Sequence, residues 1–380
     1  MFDREADVQV YSHHVPTRII GGPGSLNDLA EHLAGWPRQC LVVCGQRFAR
    51  LSGALERVTS LLASRKIDCT VFDGVEPNPS IKTVLEGAER ARQLRSRWLL
   101  AVGGGSTIDA AKAIALKAVN QGKLADFAGN MRPENEPLPL VAVPTTAGTG
   151  SEVTPYAVLT DTRAVDKFGI GMPELFPRLA VLDAELTVSM PEAVTIDSGL
   201  DALSHAVEAL FSRKRSLFSD LLAERAVWMV LRHLPQARRD SGDLTARGGM
   251  LEAACLAGMA IADTGTLIPH ALSYPVTIRF GIPHGRATAL LLPALLEKMQ
   301  EVEPERSQRV GTLLGDADQP ARALRAFVEA LGVAPRLGAY GMQDDCLELL
   351  ARQAHGKKHL RNTPGEWSQQ DLEGILRASC

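Results

Sequence analysis

Asp201 and His205 stand four residues apart in DALSHAVEAL, and His270 and His284 follow in HALSYPVTIRFGIPHG. Together they offer one carboxylate and three imidazoles, a donor set that suits a divalent ion such as Fe²⁺ or Zn²⁺. An ion held with one coordination position open acts as a Lewis acid on a carbonyl or alcohol oxygen. A histidine among apolar neighbours is otherwise a core or surface residue, and Asp–His pairs also occur on solvated helix faces, so spacing alone leaves both readings open.

The elements needed to bring the four together are legible. Leu200, Leu203, Val207 and Leu210 recur at helical spacing, which puts Asp201 and His205 one turn apart on a single face. His270 and His284 are too distant for one turn. The chain must fold back between them, and Tyr274-Pro275 and residues 280–283 (FGIP) supply the expected bend.

Two glycine- and hydroxyl-rich turns carry a second chemistry. The apolar run at 98–102 leads straight into Gly103-Gly104-Gly105-Ser106-Thr107 and then into a helical pattern. Backbone N–H groups and the positive end of a helix dipole would there cradle a diphosphate. The spacing is not GxGxxG, so a plain tight turn is the alternative. The run at 138–143 leads into PTTAGTGS (144–151), rich in groups that hydrogen-bond phosphate, ribose or a nicotinamide amide. Two such loops at the carboxyl ends of strands predict a nucleotide site.

Around these motifs, strands at 40–44, 69–72, 98–102 and 138–143 alternate with helices at 55–64, 81–94 and 108–119. Ser80 is the expected cap of the second helix. Near-continuous apolar strands alternating with helices predict a parallel sheet covered on both faces. After residue 190 the pattern is helical. The expectation is an α/β, Rossmann-like dinucleotide-binding domain at 1–190 and an all-α metal-binding and substrate domain at 191–380.

The 380 residues suffice for two such domains, and the net charge of −3 argues against nucleic acid or an anionic membrane as partner. No run approaches the roughly 20 apolar residues of a membrane span. The polar start MFDREADVQV is unlike a signal peptide, and six scattered cysteines without a CxxC pair suit a reducing cytoplasm.

GGGSTIDAAKAIA, VPTTAGTGSEVT, DALSHAVEA and GIPHG occur in this order, and with them the chain resembles the iron-containing (group III) alcohol dehydrogenases from PTRIIGGPGSL to the last helix. The resemblance implies a dehydroquinate synthase-like architecture with the active site between the halves. It also implies NAD(P)H-linked interconversion of an aldehyde or ketone and an alcohol, and, since dimers are common in the family, a homodimer. It makes Asp201, His205, His270 and His284 the metal ligands. It assigns Gly104, Gly105 and Ser106 to the pyrophosphate, sets Asp109 near the cofactor at the opening of its helix, and lines the cofactor with Thr145, Thr146, Thr149 and Ser151. Lys167 falls on the cofactor side, where a solvated lysine is the alternative, and Glu152 is expected to begin the next strand.

Two departures stand out. Where many members carry a second histidine, this chain has Tyr274, either a proton relay or a packing residue. Where NAD-preferring members often carry an aspartate after the first strand of the alternation, it has Gly45, Gln46 and Arg47. Arg47 would pair with the 2′-phosphate of NADPH, or stand in solvent with relaxed preference for NADH. HALSYP around His270 is similar to phosphonoacetaldehyde reductases of this family, which form 2-hydroxyethylphosphonate, and Arg279 would face such an anionic head or lie on the surface. Small aliphatic aldehydes, a general alcohol dehydrogenase or a maleylacetate-reductase-like activity are the alternatives. A cyclising lyase of the dehydroquinate synthase type is the remote one.

Overall fold

The structure, a computed structural model, describes residues 11–380 apart from 47, 130 and 165. Its first half is built on strands β1 (Arg18–Gly21), β2 (Gln39–Gly45), β3 (Asp68–Val75), β4 (Trp98–Gly103), β5 (Leu140–Pro144), β6 (Tyr156–Asp161), β7 (Asp166–Gly171) and β8 (Leu179–Leu182). Six of them form one sheet in the order β1-β8-β5-β4-β2-β3, every pairing parallel. Helices α1 (Leu29–His32), α2 (Phe48–Leu51), α3 (Ala54–Ser64), α4 (Ile81–Gln93), α5 (Gly105–Val119) and α6 (Leu124–Ala128) connect and cover it.

The apolar strands explain the two layers. Side chains alternate across a strand, so Leu41 and Val43 join one core with Ile108 and Ile114 of α5, while Val42 and Cys44 join another with Leu55 and Val58 of α3. Ser80 caps α4 as expected, accepting a hydrogen bond from the Thr83 N–H. Strands β1, β7 and β8 fall where no strand signal was read, and β6, which pairs with β7 as an antiparallel hairpin, starts at Tyr156, past the expected start at Glu152. Glu152 does not begin a strand: it lies in the single 3-10 turn Ser151–Val153, ahead of β6.

From residue 192 the chain is helical: α7 (Glu192–Phe211), α8 (Leu217–Arg239), α9 (Leu244–Thr264), α10 (Ile268–Phe280), α11 (His284–Val302), α12 (Pro304–Leu314), α13 (Pro320–Ala330), α14 (Leu347–Ala354), α15 (Lys358–Asn362) and α16 (Gln369–Ser379). Helix α7 is buried almost all round, as an apolar helix at the centre of a bundle must be. Among the described residues no single helix is long and apolar enough to cross a membrane.

Candidate metal and cofactor site

Three elements deliver the four donors. Asp201 and His205 lie one turn apart on α7, His270 in the first turn of α10, and His284 opens α11. The predicted bend is only half right. Pro275 sits inside α10, and the chain reverses at Gly281, whose φ of +67° favours glycine, and at Pro283. Gly285 explains the end of GIPHG. A Cβ there would stand 2.1 Å from the Asp197 carbonyl oxygen and 2.7 Å from the Asp201 Cβ, so only glycine lets α11 start against α7.

The donors converge. Asp201 Oδ1 lies 4.0 Å from His205 Nε2, 3.9 Å from His270 Nε2 and 3.8 Å from His284 Nε2. Two donors that share an ion at about 2.1 Å can stand no more than about 4.2 Å apart, so each pair can share one ion. Asp201, His270 and His284 make the tightest set, and His205 joins it through Asp201 and by stacking on the His270 ring. Asp201 Oδ1 and His270 Nε2 are buried without hydrogen-bond partners. An orphaned buried polar atom costs about 1–3 kcal/mol, which a bound cation would remove. The residues therefore fit a divalent ion.

Partners behind the donors fix their orientation. Glu208, one turn beyond His205 on α7 and fully buried, accepts from His270 Nδ1 at 2.6 Å and from the Leu267 N–H. This leaves the His270 Nε2 lone pair facing the cluster. Burial opposes protonation of His270, but the Glu208 carboxylate outweighs it and raises its pKa. Ser273 donates to the His270 carbonyl and so accepts from His284 Nδ1 at 3.1 Å, which frees the His284 Nε2 lone pair. Burial, with neighbouring His270 and Lys167, holds His284 neutral. His205 is held down by burial against the pull of Asp201. Glu208 and Ser273 were missed from sequence, although Glu208 shares the Asp201–His205 face of an otherwise apolar helix.

On the sheet side, β4 and β5 run into the two glycine-rich loops, and these interlock. A Cβ on Gly104 would stand 2.8 Å from Thr146 Oγ1, and one on Gly105 2.4 Å from Thr149 Cγ2. The glycines thus make room for threonines as well as for a ligand. Gly104, Ser106, Thr146 and Thr149 are partly exposed at the mouth, where the first N–H groups of α5 lack intrahelical partners. Gly150, at φ +60°, meets Gly258 of α9 backbone to backbone, and Gly148 meets Ser198 of α7 in the same way.

Asp109 and Ser151 are tied to each other. Asp109 lies one turn inside α5, with one carboxylate oxygen accepting from Ser151 Oγ at 2.6 Å and the other from the Val158 N–H at 2.9 Å. Lys112, buried, donates to Ser151 Oγ, the Thr154 carbonyl and the Tyr156 carbonyl. These groups brace the loop from beneath. Thr145 is fully buried, its hydroxyl unpartnered, at the end of β5. Gly45 closes β2, and Arg47 lies outside the described residues.

Lys167 is buried, with Nζ donating to Asn78 Oδ1 at 2.8 Å, and burial lowers its pKa to about 8. Asn78 also donates its N–H to Ser106 Oγ, tying β7 to the start of α5. Its positive φ of 57° is a local strain of the kind found at binding sites. Tyr274 packs 5.6 Å from the His284 ring. Burial first, then the surrounding carboxylates Asp109, Glu208, Asp201 and Asp166, push its phenol pKa well up, so packing rather than acid catalysis suits it. Arg279 is exposed on the last turn of α10.

Comparison with known proteins bears on the whole chain. Residues 16–184 match the iron-containing alcohol dehydrogenase model, and residues 195–380 match the C-terminal model of the Fe-containing alcohol dehydrogenase family. An iron-containing alcohol dehydrogenase from Thermotoga maritima superposes with a TM-score of 0.89 at 37% identity, over 97% of this chain and 99% of that one. Sulfoacetaldehyde reductase from Bifidobacterium kashiwanohense, in complex with NAD⁺, gives 0.89 at 30% over 98% and 99%. Choline dehydrogenase from Bacillus subtilis is 33% identical over 98% of this chain and 96% of its own. With its α/β and helical halves and its donor cluster between two glycine loops and α7, the chain belongs to the iron-containing alcohol dehydrogenase family, NAD(P)-dependent oxidoreductases that hold iron or another divalent metal.

Proposed function

We propose that the chain reduces a small aldehyde to its primary alcohol with NADPH or NADH. The observation that carries the reading is the single Asp201 oxygen ringed by three imidazole nitrogens at 3.8–4.0 Å, unpartnered and beside the interlocked glycine loops. When bound, a divalent ion supplies Lewis acidity to the carbonyl oxygen and the nicotinamide supplies the hydride. Asp201, His205, His270 and His284 would hold the ion, with Glu208 and Ser273 keeping two of the imidazoles in the coordinating tautomer. Gly104, Gly105, Ser106, Thr146 and Thr149 would seat the dinucleotide, over the bracing set of Asp109, Lys112 and Ser151. Tyr274 closes one wall against His284, and the proton completing the alcohol comes from water, the cofactor ribose or the Tyr274 phenol, of which burial of the phenol disfavours the last.

For the cofactor we favour NADPH. A Cβ at Gly45 would meet only ordinary contacts, 3.5 Å or longer, so packing does not forbid a side chain there, yet no carboxylate is present to repel a 2′-phosphate. Relatives include a choline dehydrogenase and a sulfoacetaldehyde reductase, one named for a cationic alcohol and one for a sulfonated aldehyde, so membership of the family leaves the substrate head undecided. Phosphonoacetaldehyde, reduced to 2-hydroxyethylphosphonate, is the specific substrate we put forward.

The test is reconstitution with Fe²⁺ or with Zn²⁺, followed by NADPH and NADH oxidation against propanal and phosphonoacetaldehyde, with metal content read on the same samples. The reading expects metal-dependent turnover and a lower KM for NADPH. Full activity in the chelated, metal-free enzyme would overturn it.

A further inference from the structure

The Tyr274 ring gathers charge that the reaction itself does not need. Lys357 Nζ lies 5.2 Å from its centroid and Lys167 Nζ 5.9 Å. His359 meets it edge-on at 5.7 Å, buried, with Nδ1 unpartnered. Lys357 caps the start of α15 and His359 lies in its first turn, more than 70 residues beyond the last donor, and neither was singled out from sequence.

The two lysines are partnered differently. Lys167 is met by a neutral acceptor, Asn78 Oδ1. Lys357 pairs with Asp166 at 3.0 Å, and that carboxylate is 55% exposed whereas the lysine is 18% exposed. Two ammonium groups thus face the ring; Lys167 feels the buried Asp201 carboxylate, while Lys357 is paired with the well-hydrated Asp166. The ring itself leans on His284, which at 27% is the most exposed of the four donors and so marks the open side of the cluster. Lysines held over an aromatic face beside the open position, with a carboxylate partner that water can readily take back, form a receptor for a second anion.

We propose that Lys357 reads an anionic head group, a phosphonate, sulfonate or carboxylate, on a short-chain aldehyde, with the Tyr274 ring as its floor. The proposal names the substrate class of the site above and rests on the aldehyde-reductase reading. In the free enzyme Asp166 holds Lys357 in place. On binding, the substrate's anion takes the ammonium, and Asp166 returns to solvent.

The experiment compares the native chain, Lys357→Met and Lys357→Arg, each metal-reconstituted. Steady-state kinetics on phosphonoacetaldehyde and propanal give the ratio of kcat/KM between the two. Calorimetry with ethylphosphonate, which has the head but no carbonyl, reads binding without turnover. Loss of one charge-assisted hydrogen bond predicts that the ratio falls roughly 10- to 100-fold in Lys357→Met, mainly through KM, and is largely rescued in Lys357→Arg. Ethylphosphonate affinity should fall by a similar factor. A ratio that does not move, or equal binding of ethylphosphonate by native chain and Lys357→Met, overturns the proposal. If neither aldehyde is reduced while ethylphosphonate binding still depends on Lys357, the aldehyde reading fails and the anion site stands.

Discussion

The two ends of the parallel sheet invite comparison. At the carboxyl end, β4 and β5 run into glycine turns, α5 begins, and the donor cluster of α7, α10 and α11 closes over them. At the amino end lies a cavity of about 720 Å³ lined by Trp36, Arg92, Arg95, Arg97 and Arg178, with Glu136 its one acid and no histidine. Helices α4 and α5 finish there, and Arg92 donates to the Lys117 carbonyl in the last turn of α5. Helix C-termini present carbonyls and a negative dipole end, so arginines there serve the fold. Helix N-termini present N–H groups to an incoming anion. A cavity alone does not tell the ends apart. Chain direction picks the right one, because in a parallel sheet every strand points its carboxyl end the same way.

The sharpest way to break this contrast is at the donors. His284→Ala should lose metal and turnover together, with kcat/KM down about 1000-fold or more. Metal analysis beside NADPH oxidation would decide it, and a variant that keeps either property contradicts the assignment. Next is Glu208→Gln, which keeps the volume but weakens the hold on His270. Metal affinity, measured against a competing chelator, should drop about 10- to 100-fold.

A smaller effect separates the loops. Gly105→Ala drives a methyl into Thr149, for about 1–3 kcal/mol of destabilisation and weaker dinucleotide binding by fluorescence titration. Adding Thr149→Ala should restore stability, and strict additivity of the pair would argue against the interlock.

Smaller still is a pH effect beneath the loop. Burial pushes Glu152 up to about 7, only partly offset by its own backbone and by Lys112, and burial lowers Lys112 to about 8. The folded chain holds the Glu152 proton more tightly than the unfolded one, so stability falls as pH rises from about 4.3 to 7. Lys112 has the opposite sign: the unfolded chain binds more protons between about 8 and 10.4, so stability recovers there. The melting temperature should pass through a trough near pH 7–8, and Glu152→Gln should flatten its acid side. Least of all, Arg97→Ala at the amino end should leave turnover within about twofold and stability within about 0.5 kcal/mol. A large loss there would erase the contrast between the ends.

The donor quartet was legible because helical spacing set Asp201 and His205 on one face and the family resemblance added His270 and His284, and the sheet because its central strands are continuously apolar. Strands β1 and β8 were not, being four residues each with partners some 160 positions away. Nor was the hairpin, since β7 carries two glycines in DKFGIG and little of the alternation that marks a strand. What joins distant segments stayed hidden for the same reason. Glu208 could be set on the face of Asp201, but not against His270. That Asp109 is bonded by Ser151, 42 positions on, is visible only in three dimensions. Lys357 looked like any surface lysine.

The junction of Gly150 with Gly258 has one more consequence. Each Cα occupies the place where the other's first side-chain atom would go, at 2.4 and 2.7 Å. Every other amino acid brings that atom, so no exchange at one site is offset by shrinking its mate, which is already minimal. Mutational drift and library design alike find both positions closed, and the seam between sheet and bundle can be retuned only from residues around it.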